Sequence, residues 1–178
     1  MDALENIFSR VSVRQYTGER VPDEAVRTIL RAAMSGPSCV NSRDWYFIVV
    51  RDRETLHKMA DANGKPAAPL HLADFAVLIC GDLARAHDRC PEYWVIDGAI
   101  AGQNMVLAAN ALGIGSVWLG TWPNAARVQA QAALFALPPT LVPHSVLAFG
   151  YPQSPASSPR DLYDATRVCF EKYDAGKI

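Results

Sequence analysis

The sequence predicts one domain that mixes helices with short buried strands, organised around a single central helix. Three observations lead there. A chain of 178 residues, half of them hydrophobic, is one domain by length and large enough to bury a substantial core. From Trp94 to Leu112 apolar residues fall on nearly every side, interrupted only by Asp97, Gly98, Gly102, Gln103, Asn104 and Asn110. A surface helix would leave a wide polar face, so this one is buried on most sides, yet it is too polar in its first half for a membrane span. Third, Trp45–Val50, Phe75–Cys80, Ser116–Leu119 and Ser145–Gly150 are short apolar runs, and they read as core strands.

Taken in order, residues 2–9 place Leu4, Ile7 and Phe8 on one helical face, and the helix ends near Arg10. Val11–Tyr16 alternates in an extended style. A second helix opens after Val21-Pro22, with Asp23 and Glu24 in its first turn complementing the dipole, and Gly36-Pro37 stops it after Met34. Ser38–Asp44 is a polar loop before the first strand. Arg53–Ala62 is a short helix, and Asn63-Gly-Lys-Pro66 is turn chemistry. The central helix follows the second strand. Its Gly98 and Gly102, four apart on one face, allow a close neighbour or a subunit contact, and Gly113 ends it. Ala125–Phe135 is a last helix, ended by Pro138-Pro139. Residues 152–159 are rich in Pro, Ser and Ala and read as an exposed arm. The tail beyond carries Leu162, Tyr163, Val168, Phe170 and Tyr173, which need a surface to pack on, in the same chain or in a partner.

Composition narrows the function. A formal net charge of −1 and the absence of a basic patch argue against nucleic acid and anionic membranes as partners. The N-terminus lacks the features of a secretory signal. Cys39, Cys80, Cys90 and Cys169 are widely spaced, which favours free thiols in a cytoplasmic setting over a disulfide framework or zinc site. His57, His71, His87 and His144 show no metal-ligand spacing, so no metal is expected. There is no nucleophile elbow, no P-loop and no dinucleotide fingerprint; Leu112-Gly-Ile-Gly-Ser116 follows a helix rather than a strand. The better signal is cationic. Arg10, Ser12 and Arg14 alternate along an extended segment and share one side, and two guanidiniums flanking a hydroxyl suit an anion. A solvated arginine pair on a strand edge fits the same pattern.

Six stretches in order, Ser9–Tyr16, Ala32–Asn41, Trp45–Val50, Asp97–Asn104, Ala111–Gly120 and Phe149–Pro152, resemble the nitroreductase family of FMN-dependent flavoproteins. The resemblance covers almost the whole chain. It implies an α+β fold, with a mostly antiparallel central sheet flanked by helices. It also implies one domain over residues 1–178, in an intertwined homodimer whose arm, residues 152–178, packs on the partner, with FMN bound between the subunits. By the same resemblance Arg10, Val11 and Ser12 meet the phosphate and ribityl chain, and Arg14 sits beside the flavin pyrimidine. Pro37, Ser38, Cys39 and Asn41 reach the flavin from the partner. Asn63 contacts the isoalloxazine edge, Trp118, Leu119 and Gly120 face the redox edge, and Arg160 reaches the phosphate. The implied activity is ping-pong transfer of reducing equivalents from NAD(P)H to a nitroaromatic, quinone or similar small-molecule electron acceptor. No side chain is assigned acid–base catalysis, because the cofactor carries the chemistry. Alternatives are a flavin dehydrogenase or dehalogenase of the same fold, or a flavin-binding sensor without turnover. Two departures stand out: Arg43-Asp44 precedes Trp45 where the family often has Gln-Pro, and Leu162 stands where the tail commonly has a second basic residue.

Overall fold

The computed structural model describes residues 1–154, 161–173 and 176. Four strands, β1 (Trp45–Val50), β2 (Phe75–Asp82), β3 (Gly115–Gly120) and β4 (Leu141–Gly150), pair antiparallel in the order β1-β2-β4-β3. Among the described residues five α-helices accompany them: α1 (Ala3–Ser9), α2 (Asp23–Met34), α3 (Arg53–Asn63), α4 (Trp94–Ala111) and α5 (Ala125–Leu134). This is the expected α+β fold, and no helix among the described residues is long and apolar enough to cross a membrane.

Strand alternation sets the layers. Phe75, Val77 and Ile79 of β2 point to one face, where Val26, Ile29, Met105 and Ala109 of α2 and α4 complete a core. Ala76, Leu78 and Cys80 point to the other, against Leu56 and Met59 of α3. Phe75 and Phe149 stack across β2 and β4 with centroids 4.8 Å apart, both fully buried. The burial of β2 on both faces explains why it reads as an unbroken apolar run rather than an alternating one.

Element bounds agree with the sequence to within a residue or two, except in two places. β4 begins at Leu141 rather than Ser145, because its pairing with β2 shifts register between Ile79 and Cys80, opposite Pro143 and Ser145. The irregularity accommodates a proline that would break a regular ladder. The turn read at Asn63-Gly-Lys-Pro66 runs into a 3-10 helix, Lys65–His71, which holds Pro66 and Pro69.

The close neighbours permitted by the glycines of α4 are side chains of its own sheet. A Cβ on Gly102 would overlap the Trp118 ring, and one on Gly98 would lie 3.1 Å from the His144 ring. His144 is buried, its Nε2 donating to the Val95 carbonyl at 3.0 Å and its Nδ1 accepting from Ser145 Oγ at 3.0 Å. Burial lowers its pKa, so it is a neutral packing residue rather than an acid–base group.

α1 inverts the usual arrangement. Its polar residues face its own chain: Asn6 Nδ2 donates to the Leu107 carbonyl at 3.0 Å, and Asn110 Nδ2 donates to Asn6 Oδ1 at 2.8 Å. Leu4, Ile7 and Phe8 point outward, 62%, 48% and 65% exposed. The apolar face legible in the sequence therefore has no cover among the described residues.

Candidate functional site

The open edge of β3 is where the predicted motifs converge. β4 occupies one side of β3. On the other, Ser12 forms a single parallel bridge to Ser116, with Val13 N–H donating to the Ser116 carbonyl at 2.8 Å. Beyond that bridge the Trp118–Gly120 edge lines a cleft of about 480 Å3, together with Arg14, Gln15, Lys65 and Pro66. A second cleft of about 400 Å3, lined by Arg10, Ser12, Gln103, Ser116 and Ile7 among others, shares Trp118 with the first. The alternation that put Arg10, Ser12 and Arg14 on one side thus distributes them along two adjoining hollows.

The electrostatics favour an anion. Among the described residues, Arg10, Arg14 and Lys65 form no ion pair, whereas the ion pairs that do form lie elsewhere. Cations lining a concave surface without carboxylate partners are poised for phosphate or another anionic group. No group of three or more His, Cys, Asp or Glu able to hold a metal occurs among the described residues. All four cysteines are free, and burial pushes the Cys80 thiol up to about 12, which keeps it inert.

Other predicted residues fall in different places. Val11 lines a small hollow with Asn110, Gly113 and Pro152, next to the β3 edge. Asn63 is 2% exposed, at the base of the cleft behind Gly120. Its amide is already engaged. Nδ2 donates to the Gly120 carbonyl at 3.3 Å, and Oδ1 accepts from Thr121 Oγ1 at 3.1 Å and Gln131 Nε2 at 3.2 Å. Asn63 acts on the cleft through the strand end it fixes. Pro37, Ser38, Cys39 and Asn41 line neither cleft of their own chain. They lie against α4, where the Cys39 N–H donates to both oxygens of Asp97 at 3.1 and 2.9 Å. Arg160 lies outside the described residues.

Lys65, Gln103, Ser116 and Arg127 carry no sequence signal strong enough to mark them as site residues. Lys65 follows Gly64, whose φ of 76° caps α3 and turns the chain back toward the cleft. Gly-Lys in a turn is the available signal, but a turn has no periodicity to say which way its lysine faces. Arg127 Nη1 donates to the Gly120 carbonyl at 2.9 Å, a tie to β3 that no local pattern announces.

Known proteins share this fold. The model of the nitroreductase family matches residues 7–71 and 67–151. A Methanothermobacter thermautotrophicus protein named "Putative NADH dehydrogenase/NAD(P)H nitroreductase" is 42% identical over 174 residues, 97% of this chain and 88% of its own. A Clostridium acetobutylicum structure named "Putative NADH Oxidase" superposes with a TM-score of 0.90 at 36% identity, covering 94% of this chain and 99% of that one. An FMN-dependent nitroreductase from Clostridium difficile superposes with a TM-score of 0.88 at 25% identity, covering 96% and 99%. The match runs from α1 through the end of β4, across every element that builds the two clefts, and the chain belongs to the nitroreductase family.

Proposed function

We propose that this protein is an FMN-dependent oxidoreductase that takes hydride from NADH or NADPH and passes reducing equivalents to a nitroaromatic, quinone or similar acceptor in a ping-pong cycle. The observation that carries the reading is the open β3 edge flanked by the unpaired cations Arg10, Arg14 and Lys65. FMN fits this set: Arg10 and Ser12 suit its phosphate end, and Arg14 and Lys65 suit the pyrimidine edge of its ring. The outer edge of Trp118 and Leu119, unlike the Gly120 carbonyl that Asn63 and Arg127 already engage, is open to the ring's polar rim. Bound there, FMN supplies the acceptance and donation of hydride. The chain's own groups orient it and place positive charge where negative charge develops. Arg14→Ala should slow cofactor reduction by roughly tenfold or more and shift its potential downward. Stopped-flow reduction and a redox titration check both, and unchanged values would remove the role.

The active unit of this proposal is a homodimer with exchanged arms, in a cytoplasmic setting consistent with the free thiols. Three features support it: the outward apolar face of α1, the 37–41 loop that lines no cleft of its own chain, and the exposed tail. Leu162, Tyr163, Phe170 and Tyr173 are all strongly exposed, at 77%, 72%, 81% and 73%. Side chains of that size require cover, and a second subunit supplies it.

The deciding experiment is a visible absorption spectrum of the purified protein before and after anaerobic NADH or NADPH. A yellow protein that bleaches supports the reading and identifies the donor. A yellow protein that does not bleach argues for flavin binding without turnover. Colourless protein that refuses added FMN overturns the reading.

A further inference from the structure

Asp44 is 1% exposed and neither of its carboxylate oxygens has a well-formed hydrogen bond; the donors beside it are its own N–H and the Ser42 hydroxyl, which is itself buried and poorly aligned. Asp97 of α4, 3% exposed, lies within hydrogen-bonding reach of the Asp44 carboxyl. Two ionised carboxylates at that separation repel, and neither has a hydrogen to donate; the contact becomes favourable when one of them carries a proton. Asp97 already accepts the Cys39 N–H on both oxygens, so Asp44 is the natural donor. The loop between them is strained: Val40, Asn41 and Arg43 all adopt positive φ, at 44°, 60° and 52°. Its other ties are Arg43 N–H to Ser38 Oγ and Arg43 Nε to Asn41 Oδ1 within the loop, and at its β1 end Arg85 Nε–H to the Arg43 carbonyl at 3.3 Å and Asp82 N–H to the Asp44 carbonyl at 2.6 Å.

We propose that Asp44 and Asp97 share a single proton, and that this proton latches the strained 38–44 loop onto the central helix. Both are positioning residues: they touch no substrate and act through the backbone of Cys39. With the proton present, Asp44 donates to Asp97, which holds the Cys39 amide. With the proton gone, two buried carboxylates face one another, and the strained loop is the part able to move away. Burial first, and the Asp97 charge second, push the Asp44 pKa up to about 6, so the change falls near neutral pH. The other titratable groups facing the pair are the Cys39 and Cys90 thiols, which share its negative field. The Arg43 and Arg85 side chains direct their Nε–H groups to Asn41 and to the Arg43 carbonyl. His144, packed against Gly98 on the sheet side of α4, is held neutral by burial. That the loop bears on flavin chemistry rests on the proposed function; the shared proton does not.

The test is amide hydrogen exchange at Cys39, followed by NMR on the full chain with and without added FMN, together with the carboxyl 13C titrations of Asp44 and Asp97. In the wild-type protein, Cys39 protection corrected for intrinsic exchange should fall roughly tenfold as pH rises through about 6. Asp44→Asn donates permanently and should keep the amide protected and flat with pH; Asp97→Asn, which places the amide on the other side, should do the same. Wild type and Asp44→Asn tracking one another across this range would overturn the latch. So would 13C shifts showing both carboxyls ionised at about pH 5, a reading that needs no variant to fold. Colourless protein with an intact Cys39 transition would sink the flavin reading and leave the latch standing.

Discussion

Replacing Gly102 with alanine should destabilise the protein by about 1–3 kcal/mol and weaken FMN binding in the same variant. The sign is the informative part. At an exposed helix position, glycine to alanine favours the helix by about 1 kcal/mol, because alanine loses less backbone freedom on folding. In α4 the new Cβ would overlap the edge of the Trp118 ring, with the Ile79 side chain 3.2 Å away behind it. The ring has little room to retreat. It meets His144 edge-on at 5.9 Å, and its strand is paired residue by residue to β4, Trp118 opposite Leu147. Relief therefore comes from moving the β3 edge, which is the wall shared by both clefts. Denaturant unfolding and flavin titration should report losses together. A variant as stable as wild type, or more so, would show that Trp118 is free to repack and that the glycine serves no close approach.

How much of this was legible in the sequence depends on the range of the interaction. Periodicity recovered the helices and strands because burial is written locally, one face at a time. It misplaced the start of β4 because Pro143 reads as a break until the facing strand is known to shift register there. Arg10, Ser12 and Arg14 were legible as a set because one extended segment carries all three. Lys65 was not, since its place beside Arg14 is created by the α3 cap and the following turn rather than by a pattern. Asn63 was found by resemblance, but its buried partners Thr121 and Gln131 come from distant segments, and only the fold shows its amide engaged. Asp44 and Asp97 carry no local signal of pairing; the loop alone brings them together. The face of Leu4, Ile7 and Phe8 is legible as a helix face, and none of the described residues covers it.

Ile96→Asp should convert the protein into a monomer that binds little FMN. α4 packs against the sheet through Asp97, Gly98, Ala101, Gly102 and Met105. Its opposite side leaves a stripe open: Ile96 at 49% exposure, with Ala99 and Gln103 exposed and Ile100 and Leu107 half-covered. The spacing of these positions is that of one helix face, and the stripe runs into the cleft that Gln103 and Arg10 line. If two copies close this stripe against each other, a carboxylate at position 96 must be desolvated without a partner on both subunits. That costs about 3 kcal/mol or more and weakens association by roughly a hundredfold. Flavin should leave with the partner, because the 37–41 loop, which lines no cleft of its own chain, can reach a cofactor only across the interface. Sedimentation equilibrium followed at the flavin absorbance measures mass and occupancy in one run. A flavin-loaded dimer of unchanged affinity would move the interface off α4. It would also remove the reason this proposal gives for the composition of the helix, with one side packed on its own sheet and the other against a second copy.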